Sequence, residues 1–179
     1  MSLKEKYLKD VFPELQKDLS ISNVMDVPKL EKVVLNMGIG TYVRNGNKDF
    51  SSLQEHMALI AGQAPTVRYA KKAISNFKLR AGMPVGLSVT LRGDKMYDFL
   101  ERLINIVLPR VRDFSWVSKK SFDWEWNYNF GIKEHTIFPE VPHDDVIKTH
   151  WLQITVKTSA KSKDAWRALL NGLWFPFKK

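Results

Sequence analysis

Hydrophobic residues recur every three or four positions in four stretches of the chain, and this spacing predicts amphipathic helices. The stretches are Leu3–Leu19, Asp49–Ala61, Asp94–Pro109 and Ser162–Leu173. Pro13 interrupts the first stretch, so a second helical piece is expected to start there. Gly62 stands where the second helix should have its C-terminal cap, whereas Asp94 and Ser162 can cap the N-termini of the third and fourth.

Four further segments are short, rich in β-branched or hydrophobic residues, and bounded by glycine or proline, which predicts strands. They are Leu30–Asn36, Thr66–Tyr69, Val85–Arg92 and Trp151–Thr158. In the last of them apolar and polar residues alternate, as in a strand with one buried face. Because the strands interleave irregularly with the helices at hairpin-like spacings, we predict an α+β fold. Its sheet should be mainly antiparallel, with helices packed on one face and the other face free for a ligand.

The composition is that of an ordinary globular protein with a strong positive charge. The 179 residues include 28 Lys and Arg against 19 Asp and Glu, so the formal net charge is +9, and 44% of residues are hydrophobic. We expect a single domain over residues 1–179. The chain has no cysteine, which fits a reducing compartment such as the cytoplasm. It lacks the apolar run that a signal peptide or a membrane span requires, so no membrane partner is expected.

The positive charge is concentrated between Glu55 and Asp94, a segment with no acidic residue. Its cations are Arg68, Lys71, Lys72, Lys78, Arg80 and Arg92. Such a segment attracts a phosphate backbone whatever its sequence, although a solvated surface would have the same composition. Glycine and proline at its end allow a loop to approach a bulky polyanion closely. Residues 71–83 are therefore our candidate RNA-contacting loop.

Aromatic residues occupy every second position between residues 122 and 130. They are Phe122, Trp124, Trp126, Tyr128 and Phe130. In an extended chain the five rings would lie on one side, where they could stack on nucleobases. The favoured alternative is that they pack on a core or on a partner protein, because exposed aromatic stripes are rare.

The sequence offers little enzyme chemistry. The four histidines have neither the His-Glu-x-x-His pattern nor a zinc-site spacing, and only His143-Asp144-Asp145 places possible metal ligands side by side. The default interpretation of that triplet is a solvated turn after Pro142. Gly38-x-Gly40 lacks the third glycine of a dinucleotide-binding loop. We expect no catalytic residues, no metal and no cofactor.

Several segments resemble the bacterial family of large-subunit ribosomal protein number five. The earlier segments are residues 33–40, 62–65, 77–86, 89–93 and 109–114. The later segments are residues 121–123, 127–128, 137–140, Thr155, 160–162 and 175–179. The resemblance follows the order of the whole chain, which a chance match to one motif would not do.

The resemblance implies a structural protein of the large ribosomal subunit, with the open sheet face available for RNA. Such a protein binds 5S ribosomal RNA, helps to attach it in the central protuberance and lies against 23S ribosomal RNA. The positions that match the family's 5S-binding set are Asn36, Gln63, Thr90 and Arg92. Amide, hydroxyl and guanidinium groups can contact 2′-hydroxyls, phosphates and exposed base edges.

The resemblance also implies two further contacts. The family's loop that approaches P-site transfer RNA matches the basic loop, at Lys71, Lys72, Ser75, Asn76, Phe77, Lys78 and Arg80. A bridge to small-subunit ribosomal protein number thirteen would use Arg110, Arg112, Asp113, Glu140, Asp144 and Asp145. This chain departs from the family pattern at Trp124 and Trp126, where glycines are usual, so the conformation of that loop is open.

Two alternatives from other functional classes remain at this point. An RNA-processing enzyme would need a pocket with a convergent base, nucleophile or metal. A general nucleic-acid-binding module would bind duplex DNA as well as it binds 5S RNA.

Overall fold

The computed structural model describes residues 2–46, 49–111, 121–142, 149–173 and 175–176. Its α-helices are α1 (Leu3–Lys6), α2 (Phe12–Asp18), α3 (Gly40–Arg44), α4 (Ser51–Ala61), α5 (Asp94–Arg102), α6 (Leu108–Arg110) and α7 (Lys163–Gly172). The strands are β1 (Leu30–Gly38), β2 (Thr66–Tyr69), β3 (Pro84–Leu91), β4 (Tyr128–Ile132) and β5 (Leu152–Thr158). Short 3₁₀ turns occur at Val24–Asp26, Ser75–Phe77 and His135–Ile137.

Each proline within a helical stretch follows a wide π turn. Tyr7–Val11 joins α1 to α2 ahead of Pro13, and Leu103–Val107 joins α5 to α6 ahead of Pro109. A proline ring in an α-helix collides with the carbonyl four residues earlier, and a π turn widens the backbone at that point. The predicted break at Pro13 is thus a π turn within a continuing helix, and the third helix ends one residue beyond Pro109, at Arg110.

The helix caps agree with the sequence at two positions and differ at a third. Gly62 is left-handed, with φ +62°, as the C-terminal cap of α4, and the Ser162 hydroxyl accepts a hydrogen bond from the Ala165 amide at the start of α7. The prediction that Asp94 caps α5 is wrong, because Gly93 holds the cap position and Asp94 is the first helical residue. Its carboxylate still lies in the first turn, where the helix dipole favours negative charge.

The five strands form one antiparallel sheet in the order β2-β3-β1-β5-β4, so the fold is α+β, as predicted. The register of β2 on β3 pairs Thr66 with Ser88 and Arg68 with Gly86. Strand β4 was missing from the sequence prediction. It begins at Tyr128, inside the aromatic stripe.

Alternate residues along the strands are buried and open to solvent. In β1 the buried side chains include Leu35 and Met37, whereas Asn36 between them is exposed. In β3, Leu87, Val89 and Leu91 are buried, and the residues between them are half-buried. One face of the sheet therefore belongs to the core, and the other, here called the open face, is available to a partner, as the alternation predicts.

The chain divides into two compact units. Unit 1 comprises residues 1–33, 91–130 and 155–179, and unit 2 comprises residues 34–90 and 131–154. The core of unit 1 includes the buried residues Val11, Phe99, Leu103 and Trp166. The core of unit 2 contains buried residues from strands and helix α4, namely Leu35, Met37, Met57, Ile60, Leu87 and Ile154. Among the described residues, no helix has the length and apolar character that a membrane span needs.

Candidate nucleic-acid interface

The open face within unit 2 carries two of the four residues expected to contact RNA. Asn36 is exposed on β1, and Thr90 is half-buried on β3, the strand beside β1 in the sheet. Both alternate with buried core residues, so the strand pattern itself turns an amide and a hydroxyl outward. Their groups can both donate and accept hydrogen bonds, which suits 2′-hydroxyls and base edges.

A row of residues crosses three strands on this face. Arg68 on β2 pairs with Gly86 on β3, and a side chain built on Gly86 would begin 3.9 Å from the Asn36 Oδ1 atom on β1. The same added carbon would lie 3.3 Å from the carbonyl oxygen of Met37, which is closer than side chains usually approach. Gly86 is itself buried, so the backbone is closely packed at this point between the strands that carry Arg68 and Asn36.

The sequence identifies Arg68 only as one cation of the basic segment and does not indicate its place in this row. It is exposed, and its strand pairing puts it on the same face as Asn36. The signal that could have found it is the alternation of β2, once β2 is paired in register with β3. The open-face positions of the strands in unit 2 include no carboxylate. Those positions are Val34, Asn36, Gly38, Thr66, Arg68, Gly86, Ser88, Thr90, Gly131 and Gln153.

The other two expected RNA-binding residues lie outside the strands. Gln63 is exposed in the connection between α4 and β2, directly after the cap residue Gly62. Arg92 is exposed directly after β3 and belongs to unit 1. The structure therefore brings Asn36, Gln63 and Thr90 into one unit and leaves Arg92 in the other.

The basic loop is an ordered hairpin rather than an irregular connection. Ala70 and Met83 continue the β2–β3 pairing, with the Ala70 amide donating to the Met83 carbonyl at 2.8 Å. Nearer the tip, Ile74 and Leu79 exchange two backbone hydrogen bonds of 2.9 and 3.1 Å. A 3₁₀ turn at Ser75–Phe77 and a left-handed Lys78, with φ +50°, close the tip.

Every candidate residue of this hairpin is exposed. They are Lys71, Lys72, Ser75, Asn76, Phe77, Lys78 and Arg80. Phe77 has 61% of its surface exposed although it is a large apolar residue. The Arg44 guanidinium of α3 donates to the Phe77 carbonyl at 2.9 Å and to the Thr41 hydroxyl at 3.1 Å, which holds the tip in place. The hairpin thus presents four cations and one aromatic ring to solvent.

The aromatic stripe is not one extended strand. Residues 123–127 form a turn in which Trp126 is left-handed, with φ +60°. The rings of Phe122, Trp126 and Tyr128 pack together with the buried Trp166, as the alternative interpretation expected. Trp124, at the turn, is 100% exposed. The stripe is therefore mainly core, with one tryptophan in solvent.

The side chain of Asp123 organises this turn. Its Oδ1 atom accepts hydrogen bonds from the backbone amides of Glu125 and Asn127, and its Oδ2 atom accepts one from the Asn127 side chain. Partial burial acts to raise the pKa of this carboxyl, but the hydrogen bonds from Asn127 and Glu125 and the charge of Lys157 together hold the pKa below its ordinary value. The surroundings of Trp124 are consequently acidic, with Asp123 and Glu125 on either side.

Three of the four histidines meet inside unit 2, a cluster that the sequence did not reveal. The His150 backbone amide donates to Nδ1 of His135 at 3.1 Å, and Nε2 of His135 lies 3.4 Å from Nδ1 of His56. Because Nδ1 of His135 accepts this hydrogen bond, the neutral ring of His135 carries its proton on Nε2. The Nε2–H group then donates a hydrogen bond to Nδ1 of His56. Burial, and then the neighbouring His56 and His150, lower the pKa of His135 to about 4. Within the described ranges, no group of three or more ligating side chains could hold a metal ion.

The residues expected to form the intersubunit bridge are only partly described. Arg110 is exposed at the end of α6 in unit 1, and Glu140 is half-buried in unit 2. Arg112, Asp113, Asp144 and Asp145 lie outside the described residues, as does the triplet His143-Asp144-Asp145.

Comparison with known proteins decides the family. The family model "Ribosomal protein L5" matches residues 23–80, and the model of the C-terminus of the same ribosomal protein family matches residues 84–177. The large ribosomal subunit protein uL5 of Geotalea daltonii is 52% identical over 176 residues, 98% of each chain. The uL5 proteins of Geobacter sulfurreducens and Streptococcus sanguinis are 53% and 51% identical, over 98% and 99% of this chain and 98% of their own lengths. The chain belongs to the ribosomal protein L5 family.

Membership of the L5 family makes the protein a structural constituent of the large ribosomal subunit. Its relatives are ribosomal proteins and not enzymes, and RNA binding is general to the family. Ribosomal RNA is accordingly its partner in the ribosome. The open face and the basic hairpin are the parts of the described structure whose chemistry suits that partner.

Proposed function

We propose that this member of the L5 family binds 5S ribosomal RNA through the open face of its sheet and helps to attach that RNA in the central protuberance, beside 23S ribosomal RNA. The observation that carries the proposal is the acid-free row Arg68, Gly86 and Asn36, which places a guanidinium and an amide on either side of a glycine on one sheet surface. A polyanion can approach such a surface without meeting a carboxylate.

The division of roles follows from side-chain chemistry. Arg92 and the cations of the hairpin contact phosphates and supply affinity that falls as salt is added. Asn36, Gln63 and Thr90 contact 2′-hydroxyls and base edges, and so supply the fit to one folded RNA. Arg68 adds a phosphate contact at the edge of the same surface.

The hairpin tip is proposed to contact P-site transfer RNA. Its cations and the exposed Phe77 ring are suited to a phosphate backbone and a base, and its backbone hydrogen bonds hold it in one shape. Less conformational entropy is then lost on binding than for a disordered loop.

The bridge to small-subunit ribosomal protein number thirteen is proposed to use Arg110, Arg112, Asp113, Glu140, Asp144 and Asp145. Carboxylates on a protein of charge +9 favour a basic protein over RNA as their partner. Replacing Asp144 and Asp145 together with asparagine should weaken binding of the purified small-subunit protein and leave 5S RNA affinity unchanged. Equal affinity for that protein before and after the change would contradict the bridge.

A filter-binding titration tests the 5S assignment. The full-length protein is titrated against 5S ribosomal RNA, an unrelated folded RNA and duplex DNA of equal charge at several salt concentrations. We expect 5S RNA to bind most tightly. Equal affinity for all three would instead identify a general nucleic-acid-binding module, and cleavage of the RNA during incubation would identify an RNA-processing enzyme.

Matched variants separate fit from charge. Asn36→Ala should weaken binding of 5S RNA more than binding of unrelated RNA. Asn105→Ala, an exposed change on the helical stretch after α5, should alter neither affinity.

The charged residues are tested through salt dependence. Arg92→Ala should lower the slope of log affinity against log salt by about one. Lys78→Gly should do the same while favouring the left-handed backbone at that position. Lys17→Ala, an exposed charge on α2, serves as the control for both.

A further inference from the structure

Trp151 is a large apolar residue on the open face, and the packing of the sheet does not explain why it is exposed. It precedes β5 directly, and 65% of its surface is exposed. The buried residues Leu152 and Ile154 point to the core, so Trp151 and Gln153 alternate onto the opposite face.

The contact between Trp151 and β4 agrees with this placement. A side chain built on Gly131 would begin 3.8 Å from Cε3 of Trp151, so the indole lies against a residue with no side chain of its own. Gly131 alternates with the buried Ile132 and is exposed. The ring therefore rests on the open face of β4, and most of its surface remains free.

Trp151 and Asn36 share this face within unit 2. Strand β5 is next to β1 in the sheet, and because the two run antiparallel, the start of β5 lies beside the end of β1. Asn36 and Gly38 are the exposed residues at that end of β1. The indole thus belongs to the same polar, carboxylate-free surface as the row Arg68, Gly86 and Asn36.

We propose that Trp151 is a stacking platform for one unpaired base of the RNA that the open face binds. The inference rests on the proposed function and adds a residue and a mode of contact to it. An aromatic ring on an otherwise polar sheet surface offers a flat apolar contact to any base, whereas the surrounding amides and hydroxyls fix the base edges.

The charge of the surroundings favours RNA over a protein as the occupant. The open-face positions of unit 2 carry Arg68 and no carboxylate, so the surface attracts a polyanion. Trp124 supplies the contrast, because it is fully exposed but stands between Asp123 and Glu125. It is thus a matched exposed tryptophan that has carboxylates on both sides in the sequence, unlike Trp151 on the carboxylate-free face.

The test compares Trp151→Ala, Trp151→Phe and Trp124→Ala with the unchanged full-length protein. Affinity is measured for 5S ribosomal RNA, for a short single-stranded oligoadenylate and for duplex DNA, and urea unfolding checks that each variant is folded. We expect Trp151→Ala to weaken binding of both RNAs about 10-fold. Trp151→Phe should weaken it by only about 2-fold, because a phenyl ring still stacks. Trp124→Ala should have no effect on either.

The salt dependence of the affinity distinguishes lost stacking from a lost charge or a general loss of structure. Trp151→Ala should shift affinity by the same factor at every salt concentration, because stacking releases no counterions. Arg68→Ala should instead lower the slope. Unchanged RNA affinity for a folded Trp151→Ala protein overturns the inference. An equal loss of affinity for duplex DNA also overturns it, because the bases of duplex DNA are already stacked.

Failure of this inference is distinguishable from failure of the proposed function. If the unchanged protein does not prefer 5S RNA but Trp151→Ala still weakens oligoadenylate, the 5S assignment fails and the stacking platform stands. If the unchanged protein prefers 5S RNA and Trp151→Ala binds both RNAs normally, the platform fails alone. In that case, binding of the purified small-subunit protein lost on Trp151→Ala would identify the ring as a protein contact instead.

Discussion

The amide oxygen of Asn36 lies 3.9 Å from the point at which a side chain on Gly86 would begin. The nearer neighbour of that point is the carbonyl oxygen of Met37, so the packing at position 86 leaves little room for a side chain. Replacing Gly86 with valine should therefore lower the free energy of unfolding by about 2 kcal/mol, since the new atoms press on the Met37 carbonyl oxygen 3.3 Å away. It should also weaken the binding of 5S RNA. Urea denaturation and filter binding measure the two effects.

Gly38→Ala is the matched control for that substitution. Gly38 lies on the same strand and face as Asn36, and a side chain built there meets no atom within 4 Å. Its free energy of unfolding should remain within about 0.5 kcal/mol of the original. A Gly86→Val protein as stable as Gly38→Ala would show that the row Arg68, Gly86 and Asn36 is not closely packed.

The buried histidine cluster predicts that stability falls in mild acid. Burial, with His56 and His150 nearby, lowers the pKa of His135 to about 4 in the folded protein, against an ordinary value near 6.5. Between these two pH values the unfolded chain binds a proton that the folded chain does not. The free energy of unfolding should therefore decrease as the pH is lowered through this window, by about 3 kcal/mol in total from this one group.

His135→Asn separates this effect from the titration of carboxyl groups. The asparagine oxygen can still accept from the His150 amide, but the side chain no longer titrates. Urea unfolding of both proteins across the range from neutral pH down to about 4 should give a shallower decrease for the variant. Parallel curves would mean that His135 is not the group responsible.

Arg44 should control the order of the hairpin tip. Its guanidinium donates to the carbonyl of Phe77, and Arg44→Ala removes that hydrogen bond. Amide hydrogen exchange at Lys78 and Leu79 should accelerate by about 5- to 10-fold, as expected for the loss of one hydrogen bond. Lys71→Ala, an exposed change in the same hairpin, is the control and should leave those exchange rates unchanged.

The Asp123 carboxylate should be essential for the turn that carries Trp124. Asp123→Ala removes the acceptor for three hydrogen bonds, so we expect the free energy of unfolding to fall by about 2 kcal/mol. Asp98→Ala, which removes an exposed carboxylate from α5, should change it by less than about 0.5 kcal/mol. Urea unfolding curves with equal midpoints for both variants would contradict this role.

Much of the fold is predictable from the sequence because its signals are local. The alternation over residues 151–158 and the β-branched run at residues 66–69 identify strands to within a residue, and Gly62 and Ser162 identify two caps. The RNA-binding roles of Asn36, Gln63, Thr90 and Arg92 stay predictions, because the evidence for them is the resemblance and their position outside the buried core.

The features that the sequence did not reveal depend on residues far apart in the chain. Arg68 joins Asn36 only through the register of β2 on β3, and the contact of His56 with His135 spans 79 positions. The turn at Trp126 was missed for a different reason. A left-handed tryptophan breaks the extended geometry that strict alternation of aromatic residues suggests.

Each of the two prolines within a helical stretch, Pro13 and Pro109, depends on the π turn that precedes it. Each turn takes up one surplus residue while the helix on either side continues. Deleting that residue would restore regular winding and bring the proline ring against the backbone behind it. Relatives or designed variants that are one residue shorter at either point are therefore expected to have lost the proline as well.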